Sequence, residues 1–180
     1  MEIEKTKIKG LIILKPKIFG DDRGYFIEAH KKSFFNKHFP NIEFEQINES
    51  RSNKGVLRGL HFQKPPFAQT KLCRVVIGEV LDVAVDLRKG SATFGQYESV
   101  RLSGDNKKQL LIPNGFAHGF VVLSDFAIFQ YLVDKPYSQE HEGSIIYNDK
   151  DLNIDWEIDS NFIKLSDRDK ISKKFNNIEF

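Results

Sequence analysis

Apolar positions along this chain recur mostly at every second residue, in short runs broken by glycine, proline and acidic turn formers, and that pattern predicts strands. The first run, Ile8 to Leu14, is rich in β-branched residues and stops at Pro16. Phe19 to Glu28 begins as a turn at Gly20, Asp21 and Asp22 and resumes as a strand through Tyr25 to Ile27. Between His30 and His38, Phe34 and Phe35 sit among lysines, with Ser33 available as a cap and Pro40 as a stop, which predicts one short helix. Ile42 to Ile47 reads as another strand, leading into the polar stretch Gln46 to Lys54. Next come Val56 to Gln63 (VLRGLHFQ) and a turn at Lys64, Pro65 and Pro66. Lys71 to Ile77 and Val80 to Leu87 follow, separated by Gly78 and Glu79, a pair whose leading glycine predicts a type II′ hairpin. Glu98 to Leu102, Gln109 to Ile112, Phe116 to Leu123 and Ala127 to Val133 complete the strands, the last two meeting at Ser124 and Asp125. Beyond Tyr137 the chain is polar and loop-like around Trp156, with a weak helix starting near Ser166 or Asp167. Short strands without alternating helices predict an all-β sandwich or jelly-roll barrel, in one domain covering residues 1–180, with no internal repeat or linker.

Composition narrows the function more than the fold. A net charge of +2, from 27 basic and 25 acidic residues, gives no bulk attraction for nucleic acid or an anionic membrane, so any anion site must be local. The single cysteine, Cys73, excludes an internal disulfide and a thiolate metal cluster within one chain; its plain reading is a small buried hydrophobe in a reducing compartment. Gly10 to Leu14 is too short for an export signal or a membrane span and is flanked by lysines. The expectation is a cytoplasmic protein with neither nucleic-acid nor membrane partners.

Within VLRGLHFQ, Arg58 and His61 are three residues apart, so a regular strand would put them on opposite faces. Gly59 between them predicts a bulge that turns both to one face, joining an obligate anion binder to an imidazole that titrates near neutrality. A satisfied core histidine is the plainer alternative for His61 taken alone. A second cluster, IPNGFAHGF, adds His118 after a tight turn. In Val80 to Leu87, Leu81, Val83, Val85 and Leu87 make one apolar face, while Asp82 and Asp86 point the other way. Those two carboxylates either meet solvent and nearby Arg74 and Arg88 or, if interior, let Asp82 orient a histidine. Two histidines raise the question of a metal, but Gln63 stands where a second histidine of an H-x-H pair would be needed, which speaks against one. Tyr131 shares a strand face with Phe129, and Lys71 opens a strand; aromatic packing and a solvated strand end are their plain readings.

Taken together, VLRGLHFQ, AQTKLCRVVIGEVLDVAVDLRKGSATFGQ, IPNGFAHGF, EGSIIYND and KLSDRD resemble, in order and spacing, the dTDP-4-dehydrorhamnose 3,5-epimerases of the cupin superfamily, from about Leu11 to Asp169. The resemblance implies a cupin-type β jelly roll, a homodimer that exchanges strands, and catalysis without metal or organic cofactor. It implies a dTDP-linked 4-keto-6-deoxyhexose substrate, inverted at the carbons beside the ketone. By the same resemblance His61 is the base, Asp169 the carboxylate that orients it in place of Asp82, Tyr131 the acid on the opposite face, and Lys71 the cation near the enolate. Arg23, Glu28, Gln46, Asn48, Arg58, His118 and Glu142 match positions that hold the diphosphate or sugar, and Tyr137 offers a stacking surface for thymine. Arg168 stands where the family often has lysine, a fork in place of a point charge at a diphosphate contact. Asn114 replaces a common glutamate and Ile47 a common aspartate, departures that bear on substrate preference. Epimerisation at a single carbon, a non-catalytic sugar-nucleotide module and a metal-dependent cupin are the competing readings.

Overall fold

The computed structural model of the chain describes residues 1–178. Its strands are β1 (Glu2–Lys5), β2 (Ile12–Lys15), β3 (Ile18–Asp21), β4 (Gly24–Ile27), β5 (Gln46–Asn53), β6 (Leu57–Gln63), β7 (Lys71–Ile77), β8 (Glu79–Asp86), β9 (Tyr97–Ser103), β10 (Gln109–Ile112), β11 (Phe116–Val122), β12 (Phe126–Val133) and β13 (Glu142–Ser144). Two short α-helices, α1 (Lys32–His38) and α2 (Asp167–Lys170), interrupt them. Six strands form one sheet in the order β1-β2-β10-β7-β12-β5, five form a second in the order β13-β6-β11-β8-β9, and β3 pairs only with β4. The pairings are antiparallel, as expected of the predicted jelly roll. No helix of the described residues is long and apolar enough to cross a membrane.

Alternation assigns each face. Cys73 and Val75 of β7, Val80 and Ala84 of β8, Phe116 and Phe120 of β11, and Ala127 and Phe129 of β12 meet between the sheets. The opposite face of the five-stranded sheet, with Leu81, Val83, Val85 and Leu87, is covered by the C-terminal segment through Ile145, Leu152 and Trp156. Both faces of β8 are therefore buried, and the carboxylate-bearing face is the one turned to the sandwich interior. Trp156 is held there by an indole N–H donated to Tyr147 O at 2.8 Å. The outer face of the six-stranded sheet is covered by α1, whose Phe35 packs on Leu14, Leu72, Leu111 and Leu132.

Several elements differ from expectation. Residues 8–11 form a turn that buries Ile8 and Leu11, so the first predicted strand is reduced to β2 at its C-terminal end, and β1, upstream of it, was not predicted. Phe19 and Gly20 belong to β3, and the tight turn moves to Asp22 and Arg23. Ser33 does not cap α1; Lys31 is the N-cap and makes no side-chain bond, so Phe35 packing holds the helix. Ile42 is coil, whereas the polar stretch from Gln46 is the strand β5, an edge strand pairing with β12. Gly78 does not close a hairpin: β7 and β8 lie in opposite sheets. Gly78 has φ +83° and a Cβ there would come within 2.1 Å of Phe126 O, so the glycine serves a corner where the chain crosses between sheets against the start of β12. The helix expected near Ser166 is α2, with Ser166 as its cap.

The predicted irregularity at Gly59 is present. His118 of β11 faces His61 and Phe120 faces Arg58, so Gly59 and Leu60 together oppose the single residue Gly119. The extra residue restores parity: Leu57, Leu60 and Phe62 point to the outer core, while Arg58 and His61 both turn to the cavity between the sheets. Gly59 has φ +119°, and a Cβ on it would lie 2.6 Å from Gly119 Cα and 2.7 Å from His118 O.

Asp86, at the end of β8, is fully buried and organises the loop that follows. It accepts from Arg88 Nε at 2.8 Å, Arg88 Nη2 at 2.7 Å, Ser91 Oγ at 2.7 Å and Thr93 Oγ1 at 2.7 Å. Burial alone would raise its carboxyl, but these donors outweigh burial and hold it far below the usual range.

Two outcomes follow. Gly59→Ala forces a side chain into backbone at a positive φ and should lower unfolding stability in urea by about 2 kcal/mol or more. Because the folded carboxyl of Asp86 is depressed, its contribution is fully present above the ordinary carboxylate range and disappears as pH falls through the depressed value. Asp86→Asn should therefore cost about 2 kcal/mol at pH 7, and the gap to wild type in denaturant titrations should narrow below pH ~4.

Candidate active site

A cavity of about 610 Å³ opens between the two sheets, a size suited to a small organic ligand. It is lined by Asn48, Arg58, His61, Lys71, His118, Tyr131, Arg168 and Asp169, together with Phe120, Phe129, Ser166 and others. Four directions of the chain converge on it: β6 brings Arg58 and His61, β11 brings His118, β7 and β12 bring Lys71 and Tyr131, and α2 brings Asp169.

His61 Nε2 lies 2.6 Å from Asp169 Oδ1. A carboxylate only accepts, so Nε2 carries the proton and Nδ1 is the ring nitrogen left to take one. Asp169 is itself positioned twice: Oδ2 accepts from Ser166 Oγ at 2.8 Å, and its backbone N–H donates to the same Ser166 oxygen at 3.1 Å. Burial would raise the Asp169 carboxyl, but the His61 and Ser166 hydrogen bonds prevail and hold it below its ordinary value. The segment carrying it is pinned at both ends by parallel bridges, Val56 to Lys164 and Ile145 to Lys173.

Across the cavity, Tyr131 pairs with Asn48 in the β12–β5 register, and burial pushes its phenol above the ordinary value, so the phenol is neutral and able to donate. Lys71 Nζ lies 5.9 Å from the Tyr131 ring centroid, and burial pulls its ammonium below the ordinary value. Arg58 Nε donates to Ser52 Oγ at 3.1 Å. Phe120 and Phe129 stack with centroids 4.2 Å apart and form an apolar wall, with His118 stacked 6.0 Å from Phe129.

The cavity thus gathers His61, Lys71, Asn48, Arg58, Tyr131, His118, Arg168 and Asp169. Tyr137 and Glu142 are not among the cavity's lining residues and connect to it through Arg168: Tyr137 Oη donates to Glu142 at 2.6 Å, and Glu142 forms an ion pair with Arg168. Gln46 is one alternation outward on β5 and donates to Asn48 Oδ1 at 2.7 Å. Arg23 and Glu28 are not brought to this cavity within one chain: they flank the exposed β3–β4 hairpin, where Arg23 pairs with Asp21 and Glu28 with Lys31. Ser166 was missed as a site residue; its signal was the Ser-x-x-Asp spacing of a helix cap.

Asp82 is interior, and its partner is a histidine: His118 Nε2 donates to Asp82 Oδ1 at 2.6 Å. Cys73, Asp82 and His118 place three donor atoms within 4.8 Å of one another. They do not suit a metal ion. The 2.6 Å between His118 and Asp82 is a hydrogen bond, shorter than the roughly 3.3 Å separating two ligands of a tetrahedral ion. Burial also pushes the Cys73 thiol well above its ordinary value, which suppresses the thiolate that would bind.

Comparison with known proteins agrees with this geometry. The sequence matches the family described as dTDP-4-dehydrorhamnose 3,5-epimerase over residues 5–177. It is 50% identical over 176 residues to the dTDP-4-dehydrorhamnose 3,5-epimerase of Shigella flexneri, covering 97% of this chain and 96% of that one. The solved dTDP-6-deoxy-D-glucose-3,5-epimerase of Legionella pneumophila Philadelphia 1, in complex with dTDP-4-keto-L-rhamnose, matches with a TM-score of 0.95 at 48% identity, covering 99% of this chain and 94% of that one. A 3′-monoepimerase from Streptomyces bikiniensis, in complex with dTDP-quinovose, matches with a TM-score of 0.86 at 34% identity, covering 94% and 85%.

Proposed function

Because this chain belongs to the dTDP-4-dehydrorhamnose 3,5-epimerase family, we propose that it inverts C3 and C5 of dTDP-4-dehydro-6-deoxy-D-glucose to give dTDP-4-dehydro-L-rhamnose. It is an epimerase, an isomerase whose product has the same composition as its substrate. The observation that carries the mechanism is the His61–Asp169 pair facing a cavity that also holds Lys71 and Tyr131.

Both carbons are α to the C4 ketone, so removing either proton gives an enolate whose charge sits on the ketone oxygen. His61 takes the proton at Nδ1, while Asp169 holds Nε2–H and stabilises the imidazolium that forms. Lys71 supplies the positive charge at the enolate oxygen, in a cavity where burial strengthens it. Tyr131, neutral because burial raises its phenol, returns a proton to the opposite face of the carbon. The substrate's own ketone provides the acidity, so the reaction calls for neither a metal nor an organic cofactor. Arg58, His118 and Arg168 surround the diphosphate and sugar, Gln46 and Asn48 make polar contacts, and Tyr137 stacks on thymine.

The exposed β3–β4 hairpin supports a homodimer. Ile18, Phe19, Tyr25 and Phe26 stand about half exposed on a two-stranded ribbon, an element that is marginal alone and that a second copy would cover. Docked so, the hairpin would carry Arg23 and Glu28 into the partner's cavity and reconcile them with a substrate-binding role. A sugar-nucleotide substrate and one buried free cysteine suit the cytoplasm.

Incubated with the 4-keto sugar nucleotide in deuterated water, the protein should place deuterium at both C3 and C5. Label at one carbon would mark a single epimerase, and none would refute the enzyme. His61→Ala should lower turnover by about 10³-fold and Tyr131→Phe by about 10²-fold or more. For the dimer, sedimentation should give twice the chain mass, and Phe26→Asp should yield monomers with raised substrate KM; a dimeric, fully active Phe26→Asp would remove the hairpin's role.

A further inference from the structure

The cavity floor contains a second imidazole–carboxylate pair that equals the first in separation and differs from it in surroundings. His118 Nε2 and Asp82 Oδ1 are 2.6 Å apart, as are His61 Nε2 and Asp169 Oδ1. Asp169 has its second oxygen bonded by Ser166 and is carried on the C-terminal segment. Asp82 lies mid-strand on β8, hydrogen-bonded on both sides by β9 and β11, and is 0% exposed. Its Oδ2 has no hydrogen-bond partner among the described residues.

A buried carboxylate with one oxygen unpartnered is costly to hold unless neighbouring charge compensates it. Compensation comes from one side only. Lys71 projects into the same cavity as His118, and its ammonium feels Asp82, Cys73 and Glu142. Cys73, 3.8 Å from His118 Nε2, remains a neutral thiol because burial pushes it upward. The cluster is therefore two potential cations, Lys71 and His118, facing the cavity above one anion that no ligand can reach.

We infer that Asp82 is a positioning residue for the epimerisation, the buried counter-ion that keeps Lys71 cationic beside the substrate ketone and, by accepting Nε2–H, turns Nδ1 of His118 toward the substrate. The inference rests on the epimerase reading above. Asp82 acts through Lys71 and His118, since it is fully buried and does not line the cavity, whereas they do. Burial lowers the proton affinity of a lysine in this place and Asp82 opposes it, and a neutral amine stabilises an enolate far less than an ammonium does. The other charged or titratable groups lining the cavity or acting on Lys71 are Tyr131 on β12, Glu49 on β5, Arg58 and His61 on β6, Glu142 on β13, and Lys164, Arg168 and Asp169 on the C-terminal segment. Glu142 is engaged by Arg168 and Tyr137, and Asp169 by His61 and Ser166. Asp82 is thus the anion with an oxygen to spare for the lysine's field.

The test compares wild type, Asp82→Asn and Asp86→Asn, the last equally buried on the same strand and face but committed to Arg88. Proton exchange into C3 and C5 is followed in deuterated water from pH 6 to pH 10, with dTDP affinity measured alongside. Asp82→Asn should bind dTDP within about threefold of wild type, exchange both protons roughly 100-fold more slowly at neutral pH, and show its alkaline limb displaced to lower pH by about one pH unit. Asp86→Asn, assayed where it is folded, should keep wild-type exchange and an unmoved limb. Wild-type exchange rates in Asp82→Asn, or a slower rate with an unmoved limb, overturn the inference. If Asp82→Asn does not fold, ¹⁵N-histidine NMR on the wild-type protein decides: His118 should carry its proton on Nε2 when neutral, and a neutral Nδ1–H form refutes the assignment. Absence of exchange in the wild type itself would refute the epimerase reading and this inference with it, whereas wild-type exchange with an unaffected Asp82→Asn refutes the inference alone.

Discussion

The site depends on one close approach of backbone to backbone. Gly59 and Gly119 face each other across β6 and β11 with no room for a Cβ on either: a Cβ on Gly119 would lie 2.8 Å from Arg58 O, and one on Gly59 2.6 Å from Gly119 Cα. The contact lets two residues of β6 sit against one of β11. Without that slip, Arg58 and His61 would fall on opposite faces of the sheet, one under the C-terminal cover and one in the cavity. Burying either against Leu81 and Trp156 would cost a few kcal/mol in unmet hydrogen bonds. The bulge therefore serves packing and chemistry at once, since the outer core receives Leu57, Leu60 and Phe62 in place of the polar pair.

The second requirement is long-range. His61 and Asp169 are 108 residues apart in the chain, and their 2.6 Å contact exists only because the C-terminal segment folds back over the five-stranded sheet. Trp156, Leu152 and Ile145 anchor that segment, the bridges at Lys164 and Lys173 fix its course, and the Ser166 cap turns the Asp169 carboxylate inward. The apolar cover of the sheet and the orientation of His61 are thus one structure, so loosening the cover would disturb the His61–Asp169 pair without any change in the residues lining the rest of the cavity.

Legibility in the sequence followed the physics of each element. β10 and β11 were readable because their burial is continuous, β7 because its apolar run is unbroken but for Arg74, and all three because turn residues mark their ends. The bulge was readable because a glycine separated two polar residues of incompatible parity. The crossing at Gly78 was not, because a Gly-Glu pair between two apolar runs reads alike whether the strands pair or pass to opposite sheets. β5 was hidden for a related reason: as an edge strand whose inner face meets an open cavity, it carries Asn48 and Ser50 where a core strand would carry valine. In the site, His61, Lys71, Tyr131 and Asp169 converge within one chain, while Arg23 and Glu28 do not, because the hairpin bearing them packs against neither sheet as an extension. Asp82, which an interior position in the sequence would let orient a histidine, leaves His61 to Asp169 and pairs with His118.

The two dyads are carried by different parts of the fold. Asp169 rides on a four-residue helix outside the sheets, held by the Ser166 cap and the flanking bridges. Asp82 and His118 sit on adjacent central strands paired through seven consecutive residues, the part of a sandwich that yields last. Phe120 and Phe129 lie against this floor and exclude water from it. Less screening by water strengthens the field of Lys71 in the cavity, and the same lack of screening makes an unpaired charge there costly. A lysine drawn into a sheet interior therefore gains from a carboxylate buried beneath it.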